Sequence, residues 1–354
     1  MQTNKRIAWI DIAKAITIFL VVFGHTIRNG DAQKIVYSFH VVTFFMLSGM
    51  TCKTDNLSKR IKNDFLRLMV PYFFFGVISI LAFTVLGGFV AQELTVNANT
   101  SFARNILILL YACPKGGALK FNMPLWFLPC LFATKLLYYL LDKLFKGKQL
   151  RVLLSSVVIA GLGLVYTHVV GIGLPLNLNV ALKMLFYFTL GRIFFLFFTT
   201  EDRKPMRKIT ALIISVLLLT VTAAIAYFTP LVDYSSDGFS STPAFLITSF
   251  TGSFGVCFLS MSFCCKPIEY VGRHTLTILA LHKFPVVLLQ TVGPQKVWLS
   301  QYNSAAGILT AIAVSLIAMG LCLLADLFIS RFCPFLLGDF SIFSKRKAKN
   351  KQMV

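Results

Sequence analysis

The sequence predicts an all-α fold: a polytopic transmembrane helical bundle of about ten spans with both termini in the cytoplasm. Three observations lead to this prediction. Of the 354 residues, 57% are hydrophobic and only 13% are charged, whereas a soluble domain carries roughly 25% charged residues. The apolar residues come in blocks of about 20, the length that crosses a hydrocarbon layer of about 30 Å. The lysines and arginines lie mostly between these blocks.

Ten apolar blocks follow one another along the chain, joined by mostly short connections. We expect one transmembrane domain over residues 1–354, because the connections leave no room for a separate soluble domain. If the N-terminus is cytoplasmic and every block crosses, most of the 34 lysines and arginines fall on the inner side, as the positive-inside rule requires. The predicted spans lie near residues 7–28, 34–52, 69–91, 123–144, 152–171, 177–199, 209–230, 244–265, 274–292 and 305–330.

The formal net charge of +21 would suggest nucleic-acid binding in a soluble protein. Here the basic residues flank apolar blocks, so they indicate cytoplasmic anchors that can also attract acidic lipids or an anionic co-substrate. The eight cysteines form no metal-binding pattern. We therefore expect membrane lipids as partners, no nucleic acid and no metal. The first block contains charges and lacks a small-residue cleavage site, so it is predicted to remain as a span.

The first predicted span contains three ionisable residues, Asp11, Lys14 and His25. Such groups cost roughly 2.5–3.5 kcal/mol each inside a bilayer and usually face a protein interior. Lys14 and His25 are eleven residues apart, which places them on nearly the same helix face with a rise of about 16 Å. Asp11 is one turn from Lys14 and can pair with it. Snorkelling to the inner interface is an alternative for Asp11 and Lys14, but it does not account for His25.

The second predicted span contains His40, which could carry a proton or be a hydrogen-bonded core residue. It also contains Ser48 and Gly49, whose small size lets helices approach closely.

Five segments of the chain, in this order and spacing, resemble motifs of the acyltransferase 3 family of membrane proteins, in particular its fucose 4-O-acetylase-like branch. Two departures are noted: Lys14 stands where many members carry Arg, and Val41-Val42 replaces the usual Met-Pro. The segments are Lys14 and His25 separated by ten residues; Phe39-His40 with Phe44–Gly49; Arg67–Tyr72; Leu125–Leu128; and Gly272–Thr275 leading to His282.

The resemblance implies transfer of an acyl group, usually acetyl, from acyl-CoA to a hydroxyl of a cell-surface or lipid-linked glycan, in a bacterial-type cytoplasmic membrane. Acetyl-CoA and a carbohydrate acceptor are the expected partners. The candidate residues fall into three groups: catalytic His25, Asp11 and His40; donor-binding Lys14, Arg60 and Arg67; and acceptor-binding Trp126, His282 and Arg192.

The chemistry of these residue types suits that reaction. A neutral imidazole can take the proton of a hydroxyl at neutral pH, so His25 is the candidate general base; it could instead carry the acyl group covalently.

Several alternatives remain open at this stage. Arg60 and Arg67 could be ordinary anchors, Trp126 an interfacial belt residue, and His282 and Arg192 structural hydrogen-bonding groups. A glycan exporter without chemistry would also fit ten helices with intramembrane charges. A homo-oligomer is compatible with the sequence.

Overall fold

The computed structural model describes residues 7–27, 30–94, 101–198, 206–234, 237, 242–291 and 303–340. Within them the fold is all-α. The α-helices are α1 Ala8–Thr26, α2 Asp31–Tyr37, α3 His40–Met50, α4 Leu57–Asp64, α5 Val70–Leu94, α6 Phe102–Tyr111, α7 Phe127–Leu144, α8 Gln149–Val169, α9 Leu178–Phe198, α10 Lys208–Tyr227, α11 Thr242–Ser262, α12 Lys266–Arg273, α13 Thr275–Leu281, α14 Lys283–Thr291 and α15 Ala305–Phe332.

Shorter helical segments connect some of these helices. A π turn, Phe65–Met69, joins α4 to α5. 3₁₀ segments cover Lys115–Gly117, Lys120–Trp126, Pro175–Asn177 and Pro334–Leu337.

Eight helical stretches among the described residues are long and apolar enough to cross a membrane. They correspond to eight of the ten predicted spans, and the multi-pass helical fold is confirmed. The predicted second and ninth spans are helical but broken: α2 and α3 are separated at Ser38-Phe39, and the ninth is divided into α13 and α14, with the short helix α12 directly before it. The number of crossings and the cytoplasmic termini stay predictions.

The breaks have local causes. Phe39 is outside helical geometry with φ −145° and ψ −24°, and the Ser38 hydroxyl donates to the Ile35 carbonyl at 2.7 Å. Serine often competes with helical hydrogen bonding in this way. In the ninth span, His274 has φ −110° and ψ 20°. Pro285 has no N–H to offer the carbonyl four residues earlier. Breaks in apolar helices are tolerated where other protein groups surround them.

The helices differ in how deeply they lie in the bundle. In α1 61% of the apolar window is buried, and in Lys120–Leu144 67%, whereas α8 and α10 have only 17% and 22% buried. The exposed leucines and valines of α8 and α10 therefore form the lipid-facing surface, and α1 and α7 form the interior. The interior helices are those that carry the candidate site.

Gly49 is one of the contacts that hold this interior together. A Cβ added to Gly49 would lie 1.9 Å from the Phe188 carbonyl oxygen, so α3 and α9 can cross at this distance only with glycine there. This confirms the close helix approach that Gly49 predicted.

Candidate functional site

A cavity of about 630 Å³ lies at the predicted inner end of the bundle, a volume typical of small-molecule sites. Its walls come from α1, α3, the π turn, α7, α9 and the α12–α13 junction, and include apolar side chains such as Phe44, Leu47 and Phe127. Five cationic side chains and one acid line it. The cations are Lys14, Lys53, Arg67, Arg192 and Arg273, and the acid is Asp11. The lining therefore favours an anionic ligand with an apolar portion.

Two of these cations have no protein partner. Among the described residues, neither Arg67 nor Arg192 is joined to another group by a hydrogen bond or ion pair, and the Nε atom of Arg192 is buried without an acceptor. Arg67 is exposed and Arg192 is partly buried, so the buried Nε atom of Arg192 is the one that lacks an expected partner, since most buried polar atoms have one. A guanidinium binds phosphate or carboxylate oxygens strongly. The missing partner is thus expected to be an anion that enters the cavity.

Asp11 pairs with two of the other cations. Its carboxylate lies 3.8 Å from Lys14 and 3.7 Å from Arg273. Gly272 allows this approach, because a Cβ there would lie 1.8 Å from the Asp11 carbonyl oxygen. Fourteen residues of helix separate Asp11 from His25, a rise of about 21 Å. Asp11 therefore belongs to the cation group and does not contact the candidate base; its catalytic role stays a prediction.

The π turn Phe65–Met69 positions Arg67. Asp64, the residue before the turn, accepts hydrogen bonds from Tyr139 at 2.6 Å and from Lys135, both on α7. The start of the turn is thereby tied to the helix that lines the opposite wall of the cavity. Single π turns are common at functional sites because the extra residue redirects the side chains that follow.

A second tie fixes the α12–α13 junction beside Arg273. His274 Nδ1 and the Thr277 hydroxyl both donate to the buried carboxylate of Asp326 on α15. Asp326 is an ionisable residue within the last predicted span. An acidic residue inside a predicted span is a sequence signal that could have identified the contact of Asp326 with His274 and Thr277. Arg273 and Lys53 were likewise not predicted as ligand-binding residues, because nothing in the sequence separates them from ordinary inner anchors.

A cluster of aromatic and imidazole rings surrounds His25 at the other end of α1. The Tyr37 hydroxyl is 3.3 Å from His25 Nδ1, and the rings of His25 and His282 have centroids 5.3 Å apart. His40 lies on the far side of Tyr37, with ring centroids 4.9 Å apart, and its Nδ1 donates to the Val36 carbonyl at 2.8 Å. His282, His25, Tyr37 and His40 thus form a row of neighbouring rings contributed by three predicted spans.

The cavity and the histidine cluster lie along the same two helix faces. On α1 the lining includes Lys14 and Ile18, and His25 follows Ile18 by seven residues, which is the same face about 10 Å further on. On α13 the lining includes Leu279, and His282 follows one turn later. The lining itself ends before the histidines. Lys14 and His25 therefore share one face of α1, and only the inner part of that face lines the cavity.

Three further predicted residues lie away from the places expected for them. Arg60 does not line the cavity and makes a bidentate pair with Asp55, at 2.7 and 2.8 Å. Arg192, predicted near the acceptor, lies among the cations at the opposite end. Trp126 is buried inside the protein against Phe127, so it is not an interfacial belt residue.

Comparison with known proteins identifies the family of the chain. A family model described as an acyltransferase domain matches residues 7–327, nearly the whole chain. Searches of curated proteins and of solved structures found no match. The family match spans both the cation-lined cavity and the histidine cluster. The chain belongs to the acyltransferase 3 family of multi-pass membrane acyltransferases.

Proposed function

We propose that this acyltransferase moves an acyl group, acetyl by preference, from cytoplasmic acyl-CoA to a hydroxyl of a cell-surface or lipid-linked glycan. The observation that carries the proposal is the cavity with two unpaired arginines at one end of the α1 face that ends at His25. The cations supply a site for a phosphate-rich donor, and His25 supplies a proton acceptor for the hydroxyl.

The donor end is argued from charge. Five cationic side chains against one carboxylate leave the cavity strongly positive, and arginine binds phosphate with paired N–H donors. The apolar walls of Phe44, Phe127 and Leu131 suit the remainder of the donor. A pantetheine arm of about 20 Å has the length of the Lys14–His25 rise of about 16 Å. An acyl group bound through such an arm would lie near His25.

The reaction at His25 follows from the chemistry of an imidazole. The acceptor hydroxyl loses its proton to His25 while its oxygen attacks the thioester carbonyl carbon, and the carbon–sulfur bond then breaks. The CoA thiolate takes the proton back from the imidazolium, so the ring ends neutral. Tyr37, with its hydroxyl 3.3 Å from Nδ1, holds the orientation of the ring.

The test is the variant His25→Ala, assayed in membranes with labelled acetyl-CoA and a glycan extract. We expect acylation to fall about 100- to 10,000-fold, the usual contribution of a general base. Protein abundance in the membrane should be unchanged. The matched control is His168→Ala, which removes an exposed histidine from the lipid-facing helix α8 and should leave acylation intact.

Two outcomes of that assay would contradict the proposal. Undiminished acylation in His25→Ala would exclude the base, and an unchanged mass of surface glycans with and without the protein would exclude the acceptor class. A gain of one acetyl unit per modified sugar supports both donor and acceptor. Labelled acyl group bound to the protein in the absence of acceptor would favour the covalent route, with His25 as carrier.

The exporter alternative makes a different prediction. Loss of the protein would remove surface glycan itself rather than its acylation. Membership of an acyltransferase family favours the enzyme over the exporter.

A further inference from the structure

One nitrogen of His282 is fixed by the backbone. Its Nδ1 lies 2.9 Å from the carbonyl oxygen of Ile278, one turn earlier. A carbonyl oxygen can only accept, so the hydrogen of the neutral ring is on Nδ1. The Nε2 atom of His282 therefore presents a lone pair and can only accept a hydrogen bond.

That lone pair has no donor. Among the described residues Nε2 of His282 is buried without a hydrogen-bond partner, and the side chain is fully buried, so solvent does not supply one. Leaving a buried acceptor unpaired destabilises a protein, and each such atom in a folded protein calls for an explanation. The neighbouring ring is that of His25, with centroids 5.3 Å apart.

The relative position of the two rings is held from both sides. The Gln290 side chain on α14 donates to the Thr26 carbonyl at 2.8 Å, directly after His25 on α1. His282 itself lies at the junction of α13 and α14, where its backbone N–H still donates to Ile278 at 3.0 Å. The orphaned nitrogen is therefore kept beside His25 by backbone ties that do not involve either ring.

We propose that His282 is a positioning residue whose Nε2 accepts a hydrogen bond from the imidazolium that forms when His25 takes the hydroxyl proton. The inference rests on the proposed role of His25 as the base. An imidazolium has an N–H at both ring nitrogens. Rings with centroids 5.3 Å apart can bring facing nitrogens to about 3 Å, a hydrogen-bond distance. No proton passes to His282: the hydroxyl proton moves to His25 and then to the CoA thiolate.

This arrangement stabilises the charged form of His25 more than the neutral form. The N–H that reaches His282 is on the ring nitrogen of His25 that does not take the hydroxyl proton, and it closes onto Nε2 of His282 as positive charge develops on the ring. Interactions that are stronger in the transition state than in the ground state raise kcat. His282 therefore affects turnover and not the affinity for either substrate.

The experiment compares His282→Leu and His282→Gln in the full chain in membranes, with acetyl-CoA and glycan extract as probes. A hydrogen bond to a charged group contributes enough for a 10- to 100-fold change. We expect kcat to fall by about that factor in His282→Leu, with both KM values unchanged. His282→Gln should recover part of the loss, because its amide oxygen reaches about as far as Nε2 and accepts a hydrogen bond.

The chain offers a matched control. His168 on α8 has the same bond from Nδ1 to a carbonyl one turn earlier, Leu164 at 2.9 Å, but it is exposed. His168→Leu and His168→Gln should both keep full activity, so a general effect of losing a helical histidine is separated from the effect at His282.

The outcomes decide between the two proposals. Full kcat in His282→Leu, or equal losses in the Leu and Gln variants, would overturn the role of Nε2. Further loss on adding His282→Leu to His25→Ala would also overturn it, since the residue acts through His25. An active His25→Ala would instead contradict the proposed function, and an inactive His25→Ala with an active His282→Leu would contradict this inference alone.

Discussion

The protein contains two groups of charged side chains, one buried and paired within the protein, the other lining the cavity without a partner in the described part of the chain. Near the predicted outer face, Lys183 pairs with the carboxylate of Asp237, which also accepts from Thr167 at 2.7 Å and Asn179 at 2.8 Å. Both charged side chains are almost fully buried. At the inner end, Arg67 and Arg192 line the cavity and have no partner among the described residues.

This difference in pairing indicates a structural role for the first group and a ligand-binding role for the second. The buried pair has hydrogen-bonding partners within the protein and holds Asp237 against α8 and α9, so it needs no ligand. The orphaned Nε atom of Arg192 is the kind of buried polar atom that costs stability unless a ligand pairs with it, whereas Arg67 is exposed and can bind an anion at the cavity wall. Substitutions in the first group should therefore lower the stability of the protein, and substitutions in the second should lower its activity.

The largest effect is expected for Lys183→Met. The substitution leaves the Asp237 carboxylate buried without its counter-ion, which costs about 3–5 kcal/mol. The thermal unfolding midpoint in detergent, and the abundance in membranes, should fall accordingly. The double variant Lys183→Met/Asp237→Leu removes both charges and should recover much of the loss. An unchanged midpoint in the single variant would show that the pair is not structural.

A smaller effect, of the opposite kind, is expected for Arg192→Leu. Removing an unpaired charge should leave thermal stability unchanged or raised. The KM for acetyl-CoA should rise about 10- to 100-fold, the contribution of a charged hydrogen bond. Arg331→Leu, at an exposed position on α15, is the control. A loss of stability with an unchanged KM would place Arg192 with the structural group and break the comparison.

The smallest effect is expected for Arg60→Leu. Arg60 lies outside the cavity lining and lowers the pKa of the exposed Asp55 carboxyl, which keeps the surface pair charged. Exposed pairs contribute little, so neither stability nor the KM for acetyl-CoA should change. Arg67→Leu, seven residues later, should raise that KM. Equal changes in this KM for the two variants would show that basic residues at the inner end attract the donor only through their summed positive charge.

Much of the membrane fold follows from composition alone. Ten apolar blocks were predicted, and each corresponds to helix in the described part of the chain. The second and ninth spans are broken because of local chemistry at Ser38-Phe39, His274 and Pro285. A hydropathy window averages over such residues, so the breaks were not predicted.

The candidate site was predicted only in part. His25 and Lys14 share a helix face by the 100° periodicity of one helix, which a sequence contains in full. Arg192 was predicted as a substrate-binding residue and Asp11 as a catalytic one, and the structure places both with the cations of the cavity. Which helix ends meet depends on how the helices pack. The sequence of one span does not indicate which other spans lie next to it. The roles in donor and acceptor binding stay predictions.

The sequence by itself determined that the chain is an apolar multi-helix membrane protein, and that its first helix carries a cation and an imidazole on one face. These are properties of single segments, because partition into lipid and helical periodicity depend only on residues close in the chain. Tertiary structure alone decided which charges are paired, that Arg192 and Arg67 share a cavity, and that His282 lies against His25. Those facts are contacts between distant segments, and they arise only when the helices pack.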